Sequence, residues 1–152
     1  MPFSSGNAIA AVHAGWRGLC AGVVEAAVAS VRRSGGDPAA LVQAWIGPAI
    51  GPCRYEVGAD VPRELTRTHP GAPDLILPAG GSLRFDLRRA ARWLLEGAGV
   101  RVEHEMKACT ACDARLFSHR RDGVTGRQGL LVRRPTAPID PRRRSRRDDE
   151  ER

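Results

Sequence analysis

Six consecutive residues, His13-Ala14-Gly15-Trp16-Arg17-Gly18, hold the side chains best suited to chemistry. His13 can bind a metal or carry a proton near neutral pH. Arg17 can grip an anion with its forked N–H groups, helped by free backbone N–H groups at a helix start. The two glycines allow backbone angles and close approaches that a side chain would prevent. The segment is a candidate metal or anion site, although a histidine taken alone is more commonly structural.

The pattern around this segment predicts a strand that ends at a turn and leads into a helix. Residues 8–12 are small and apolar, which predicts a buried strand over 8–13. Residues 18–34 repeat apolar side chains at helical spacing, and Gly35-Gly36 marks the end of that helix. Proteins of the α/β class often place functional side chains at such junctions.

The rest of the chain also mixes strand and helix patterns. A second strand over 41–46 leads into a loop over 47–52, whose prolines and glycines fix its path. The further expected elements are helices over 59–68 and 86–97, strands over 75–77 and 100–105, the latter at a sheet edge, and a hairpin with arms 117–119 and 128–132. The predicted fold class is α/β (α+β), a mixed sheet packed with helices.

Length and composition predict one folded domain with a polar tail. The chain has 152 residues and a net charge of +7, which suggests solubility or weak attraction to polyanions rather than a function. No apolar run is long enough to span a membrane, and the first residues do not resemble a signal peptide, so the expected location is the cytoplasm. We predict a folded unit over 1–132 and a disordered Arg-rich tail over 133–152, because the tail has little apolar area to bury. The basic run Arg142–Arg147 could mark nucleic-acid binding, but no binding fold or stacking aromatic residues accompany it.

Four cysteines are present: Cys20, Cys53, Cys109 and Cys112. In a cytosol they would be reduced. Cys109 and Cys112 form a lone C-x-x-C, without the second pair that a zinc ribbon needs and without the strand–helix junction of a thioredoxin motif. This favours cysteines that pack rather than react.

Three motifs in order along the chain match one family. They are the segment 13–18, the loop Ile46-Gly47-Pro48-Ala49-Ile50-Gly51-Pro52-Cys53-Arg54-Tyr55-Glu56-Val57-Gly58, and the stretch Phe117-Ser118-His119-Arg120-Arg121-Asp122-Gly123-Val124-Thr125-Gly126-Arg127. From about residue 8 to 132 the chain resembles the laccase-domain, or polyphenol oxidase, family. Its members are better described as zinc-dependent purine nucleoside phosphorylases, some with adenosine deaminase activity. The resemblance implies a purine nucleoside and phosphate as substrates.

The resemblance also implies a metal site that this chain contains only in part. Family members hold the metal with two histidines and one cysteine, and His13 matches one ligand. The other two belong to upstream Q-V-H-G-like and T-A-D-C-like motifs that precede the start of this sequence. We therefore expect the C-terminal portion of a family member, with weak zinc binding and impaired activity. The alternative is a non-catalytic fragment that needs a partner chain or the upstream segment. Older family labels name copper, but four scattered histidines cannot supply the several copper sites of a true laccase.

The same motifs supply the substrate-site candidates. Arg17, Arg120 and Arg121 could hold phosphate bidentately. The alternatives are a turn anchor for Arg17 and a solvated hairpin face for the other two. Tyr55 and Glu56 could line the purine and contact ribose hydroxyls, or could simply shape their loop. Trp16 and Trp45 are expected in the core.

Overall fold

The protein is described by a computed structural model covering residues 2–5, 8–35 and 41–133. The described part contains seven strands and five helices. In chain order they are β1 (Pro2–Ser5), β2 (Ala8–Ala11), α1 (Trp16–Cys20), α2 (Val23–Gly35), β3 (Val42–Ile46), β4 (Glu56–Val57), α3 (Asp60–Thr68), β5 (Ile76–Ala79), β6 (Ser82–Phe85), α4 (Leu87–Gly97), β7 (Val100–Glu105) and α5 (His119–Asp122).

The larger sheet is mixed, with the strand order β2-β1-β3-β7. β1 pairs antiparallel with both β2 and β3, whereas β3 and β7 are parallel. Strands β2, β3 and β7 therefore run in the same direction, and their carboxyl ends lie at one edge of the sheet. A separate antiparallel sheet has the order β4-β6-β5.

The core lies where helices α2 and α4 pack against the larger sheet. Val42, Ala44 and Ile46 alternate with less buried neighbours along β3, which is the period-two pattern of a strand with one covered face. The helices contribute Val24, Val28 and Val31 from α2 and Leu87, Ala90, Ala91, Leu94 and Leu95 from α4. Apolar side chains three and four residues apart bury one stripe of each helix. Trp16 packs partly buried against this core, as expected, and Trp45 is half-buried on β3.

The mixed α+β fold with helices packed on a sheet is confirmed, and most predicted elements agree with it. The helix predicted over 18–34 is in fact two helices, because Gly22 adopts a φ of +79° between α1 and α2. Only glycine takes that angle without a steric penalty, so the chain turns there. The local pattern does not predict strands β1, β4 and β6, since two to four residues carry too little alternation to be recognised.

The hairpin predicted around residues 122–126 is wrong. Ser118 and Gly123 instead delimit the one-turn helix α5. The Ser118 side chain accepts a hydrogen bond from the Arg121 backbone N–H, and Gly123 ends the turn at a φ of +69°. The two predicted arms are nevertheless joined, because the Gln128 side chain makes two hydrogen bonds to the Phe117 backbone.

The remaining predictions concern the C-terminal tail and membrane spans. The tail predicted over 133–152 lies outside the described residues, except for Arg133. None of the helices in the described part combines the length and the apolar character that a membrane crossing requires.

Candidate functional site

The carboxyl edge of the larger sheet gathers the three family motifs. His13 and Arg17 follow β2, the loop 47–55 follows β3, and residues 106–122 follow β7. The parallel pairing of β3 and β7 continues beyond both strands as a bridge between Ala49 and Cys109. Because parallel strands end at the same edge, segments that lie far apart in sequence meet there.

Three of the predicted site residues, Tyr55, Glu56 and Arg120, are joined directly, and Arg17 lies within electrostatic reach of Tyr55. We call these four residues the tyrosine cluster. The Arg120 guanidinium carbon lies 5.1 Å from the centre of the Tyr55 ring. Its Nη1 donates a 2.8 Å hydrogen bond to the Glu56 carbonyl. A cation over an aromatic face is attracted by the ring quadrupole, which holds Arg120 against the loop.

The environment of Tyr55 is both half-buried and cationic. Its ring packs at 6.1 Å from that of Phe85, and its carbonyl accepts a 3.0 Å hydrogen bond from the Phe85 N–H. Burial raises the pKa of the Tyr55 phenol, while the charges of Arg120 and Arg17 lower it. Arg17 and Arg120, which lie far apart in sequence, therefore act on the same aromatic residue.

Arg17 also stacks on its neighbour Trp16, with its guanidinium carbon 4.5 Å from the ring centre. Both residues line an open cleft of about 470 Å³ whose other wall is formed by charged side chains of α3. The segment thus presents a cation on an aromatic support rather than a buried structural arginine.

The Glu56 carboxylate points towards solvent, with 59% of its side chain exposed. Oε1 lies 3.7 Å from the Arg84 guanidinium and accepts a 3.4 Å hydrogen bond from the Ser82 hydroxyl. Both contacts are long, so the carboxylate can accept further hydrogen bonds from a ligand.

His13 is exposed between β2 and α1. Among the described residues, the one group of three or more histidine, cysteine or acidic side chains close enough to hold a metal does not include it. Zinc catalysis needs about three protein ligands. The described residues therefore do not fit the two-histidine, one-cysteine centre that the resemblance implies.

A different group of possible metal ligands, the thiol cluster, consists of Cys53, Cys109 and Cys112. Their three Sγ atoms all lie within 4.8 Å of one another, so together they could hold a metal. The Sγ atoms of Cys53 and Cys112 are 3.6 Å apart. Cys53 and Cys112 are exposed, whereas Cys109 is half-buried.

The three thiols differ in acidity because of their surroundings. Burial opposes ionisation of Cys109, but hydrogen bonds from the Gly51 and Ala111 backbone and from the other two thiols lower its pKa to about 7. Burial and the neighbouring thiols raise the pKa of Cys53 to about 11. Cys109 is therefore the thiol of this cluster that ionises more readily than Cys53.

Arg121 supports the turn that carries two of these cysteines. Its Nη1 donates to the carbonyls of Thr110 and Asp113, and its Nη2 donates to the carbonyl of Leu116. The remaining donors of the guanidinium pair with the Asp122 carboxylate. All five N–H groups of Arg121 are thereby used within the chain, in contrast to Arg120.

Sequence reasoning misses the thiol cluster because only two of its three cysteines form a motif. The C-x-x-C of Cys109 and Cys112 is recognisable, but the third thiol comes from a loop more than fifty residues earlier. The positions of Cys53 and Cys109 after strands β3 and β7 are a usable signal, because both strands end at the same sheet edge. Using that signal requires knowing that β3 and β7 are parallel neighbours.

Comparison with known proteins identifies the family. Residues 3–134 match the family described as multi-copper polyphenol oxidoreductase laccase. The chain belongs to this family. Its relatives include a purine nucleoside phosphorylase of Pseudomonas aeruginosa, 44% identical over 131 residues that cover 84% of this chain and 52% of the relative. The purine nucleoside phosphorylase YfiH of Escherichia coli is 36% identical over 129 residues, 84% of this chain and 51% of that protein.

Solved structures agree with this family assignment. The Neisseria meningitidis protein NMB0706 superposes with a TM-score of 0.69 at 33% identity, covering 80% of this chain and 50% of that one. YlmD from Geobacillus stearothermophilus gives a TM-score of 0.68 at 35% identity, with coverages of 80% and 48%. This laccase-family chain spans about half the length of the relatives it matches.

Proposed function

We propose that this chain takes part in phosphorolysis of purine nucleosides, binding nucleoside and phosphate at the tyrosine cluster. The names of its relatives support this reaction class. The observation that carries the proposal for these residues is the position of Arg120 over Tyr55, beside Glu56 and within electrostatic reach of Arg17.

Phosphorolysis needs an anion held against a sugar. A phosphate oxygen attacks C1 of the ribose, the bond from C1 to the purine nitrogen breaks, and the base leaves with its bonding electrons and is protonated. Arginine suits the phosphate because its planar fork matches two oxygens at once. Arg17 and Arg120 supply two such forks near one half-buried aromatic ring.

The nucleoside would lie between these cations and the loop that carries Tyr55. The phenol ring offers an apolar surface to the purine. The Glu56 carboxylate, exposed and weakly paired, would accept hydrogen bonds from ribose hydroxyls. We assign these roles to Tyr55 and Glu56, and anion binding to Arg17 and Arg120.

A second candidate function is substrate binding alone. In that case catalysis depends on groups supplied by a partner chain or by a longer polypeptide. The observation that favours it is the lack of co-ligands for His13 in the described part of the chain.

The test is calorimetric titration of the chain with inorganic phosphate and with inosine, together with an assay for phosphate-dependent release of hypoxanthine. Arg120→Ala should weaken phosphate binding by about 10- to 100-fold, since a hydrogen bond between charged groups contributes about 1.5–3 kcal/mol. Arg33→Ala, in the last turn of α2, removes an equal charge and should leave phosphate binding intact.

Equal phosphate affinity in the Arg120→Ala and Arg33→Ala variants would contradict the proposed site. Binding without hypoxanthine release would support the second candidate. Release at the rate of a full-length relative would exclude the second candidate and support catalysis by these residues alone.

A further inference from the structure

The thiol cluster lies on the same sheet edge as the tyrosine cluster but has the opposite chemistry. Thiolates are anionic and soft, so they repel phosphate and prefer soft cations. We propose that Cys53, Cys109 and Cys112 bind one thiophilic d¹⁰ metal ion, Zn²⁺ or Cu(I), at a site independent of His13. This inference does not rest on the proposed nucleoside function.

The spacing of the three sulfur atoms suits a single ion. Two sulfurs bound to zinc at about 2.3 Å with a tetrahedral angle lie about 3.8 Å apart. The Cys53 and Cys112 sulfurs are 3.6 Å apart, and no pair in the cluster exceeds 4.8 Å. Small rotations of the side chains would bring all three to an ion between them.

Backbone groups around Cys109 prepare this sulfur to act as a thiolate ligand. The Gly51 N–H donates to Cys109 Sγ at 3.2 Å. The C-x-x-C turn is closed by the N–H groups of Cys112 and Asp113, which donate to the Cys109 carbonyl at 3.0 and 2.9 Å. Hydrogen bonds to a metal ligand orient it and tune its basicity, and they raise metal affinity.

Two arginines hold the segment that leads into and out of this turn. Arg88, on α4, donates to the carbonyls of Met106 and Ala108 at 3.0 Å each. Arg121 donates to those of Thr110 and Asp113. These contacts fix the backbone on both sides of Cys109, so the thiols are pre-organised rather than brought together by the metal.

Gly51 allows the two loops to approach so closely. A Cβ atom at this position would lie 3.3 Å from the Cys109 Cβ and 3.4 Å from the Cys53 Sγ. A side chain here would displace these neighbours by a few tenths of an ångström. A glycine with this role indicates that their close contact is built into the fold.

The proposed site is open on one side. Cys53 and Cys112 are exposed, so the fourth coordination position of a tetrahedral ion would face solvent and accept water or an external ligand. Closed structural zinc sites use four protein ligands instead. A three-thiolate site of this kind therefore exchanges its ion or presents it to another molecule.

The experiment uses the reduced, chelator-treated chain titrated with Co²⁺ as a spectroscopic probe. One equivalent should produce thiolate-to-cobalt charge-transfer absorption in the near ultraviolet, and Zn²⁺ or Cu(I) should displace it. Cys53→Ser and Cys112→Ser, both at exposed positions, should weaken Co²⁺ binding by at least about 100-fold. Gly51→Ala should weaken it by about tenfold, as for other supporting residues.

Two control variants test whether the cobalt signal comes from these three thiols. Cys20→Ala removes one thiol from a buried position outside the cluster and should leave the cobalt signal unchanged. His13→Ala should also leave it unchanged. Circular dichroism on each variant confirms that the fold persists.

The proposal is overturned if the Cys53→Ser and Cys112→Ser variants bind Co²⁺ as tightly as the unmodified chain, or if His13→Ala abolishes binding. It is also overturned if the reduced chain takes up no Co²⁺, Zn²⁺ or Cu(I) while air oxidation links Cys53 to Cys112. That result would identify the pair as a redox dithiol instead.

Discussion

Arg120 and Arg121 are adjacent in sequence, yet they serve two different regions of the molecule. Arg120 turns to the tyrosine cluster and makes one hydrogen bond within the described part of the chain, to the Glu56 carbonyl. Arg121 turns to the thiol cluster and uses all five of its N–H groups inside the chain. A guanidinium with unused donors can bind a ligand, whereas a saturated one can only hold structure. The two clusters therefore have separate supports, although one loop and one short helix contribute to both.

The largest difference between the two clusters should appear when each of the two arginines is replaced with alanine. Arg120→Ala should lose phosphate affinity by about 10- to 100-fold and keep Co²⁺ binding. Arg121→Ala should weaken Co²⁺ binding by about tenfold, because the turn around Cys109 loses its support, and should lower the melting temperature more than Arg120→Ala does. Titration of both variants with both probes measures this. Equal losses of both affinities in both variants would show that the two clusters form a single unit.

The thiol cluster should also have a pH dependence near neutral pH. In metal-free protein, alkylation of Cys109 by iodoacetamide should have its half-maximal rate near pH 7 and fall about tenfold for each pH unit below that. Cys20 should stay unreactive in the folded chain, because burial raises its pKa. Mass spectrometry of the alkylated sites against pH tests this, and a Cys109 midpoint near 9 would refute the described hydrogen bonding.

The same pKa shifts predict how stability changes with pH. The pKa of Cys109 is lowered from 9.0 to about 7, so the unfolded chain binds more protons between those values and stability should rise from pH 7 to 9. The pKa of Cys53 is raised to about 11, so stability should fall again from pH 9 to 11. Urea unfolding at each pH measures both trends. A Cys53→Ser, Cys109→Ser double variant should lose them.

A smaller effect should follow from removing the cap of α5, the helix that carries both arginines. Ser118→Ala should cost about 1 kcal/mol, as is usual for loss of an N-cap, and should weaken phosphate and Co²⁺ binding to similar degrees. Asp86→Ala removes the N-cap of α4, where Asp86 accepts a hydrogen bond from the Arg89 N–H. It should cost a similar free energy of unfolding with little effect on either ligand. If Asp86→Ala weakens the binding of phosphate and Co²⁺ as much as Ser118→Ala does, the losses of affinity reflect general destabilisation.

The smallest predicted effect concerns the phenol of Tyr55. The chain has a single tyrosine, so ultraviolet titration of tyrosinate reports this residue alone. Arg120→Gln should raise the Tyr55 pKa further, because the guanidinium charge now lowers it. Arg33→Gln should leave the titration unchanged. An unchanged pKa after Arg120→Gln would mean that the two side chains are not in contact.

Much of the architecture follows from local pattern. The apolar spacing in α4 and the alternation in β3 are sufficient to predict both elements. The apolar pattern does not predict the helix ends at Gly22 and Gly123, where the backbone adopts a positive φ. The one-turn helix α5 resembles part of a hairpin in the sequence because four residues cannot show a helical period. The motifs do identify Arg17, Tyr55, Glu56 and Arg120 as candidates. The structure brings the last three into contact and places Arg17 within electrostatic reach of Tyr55.

By itself, the sequence determined where the longer helices and strands lie, which family the chain resembles, and which residue types carry its chemistry. These are properties of spacing and composition along one stretch of chain. Only the tertiary structure decided that Cys53 joins Cys109 and Cys112, and that Arg120 and Arg121 serve different clusters. The reason is that parallel strands are separated in sequence by their crossover, so no local pattern records which carboxyl ends lie side by side. The direction of a guanidinium depends on carbonyls supplied by those distant segments.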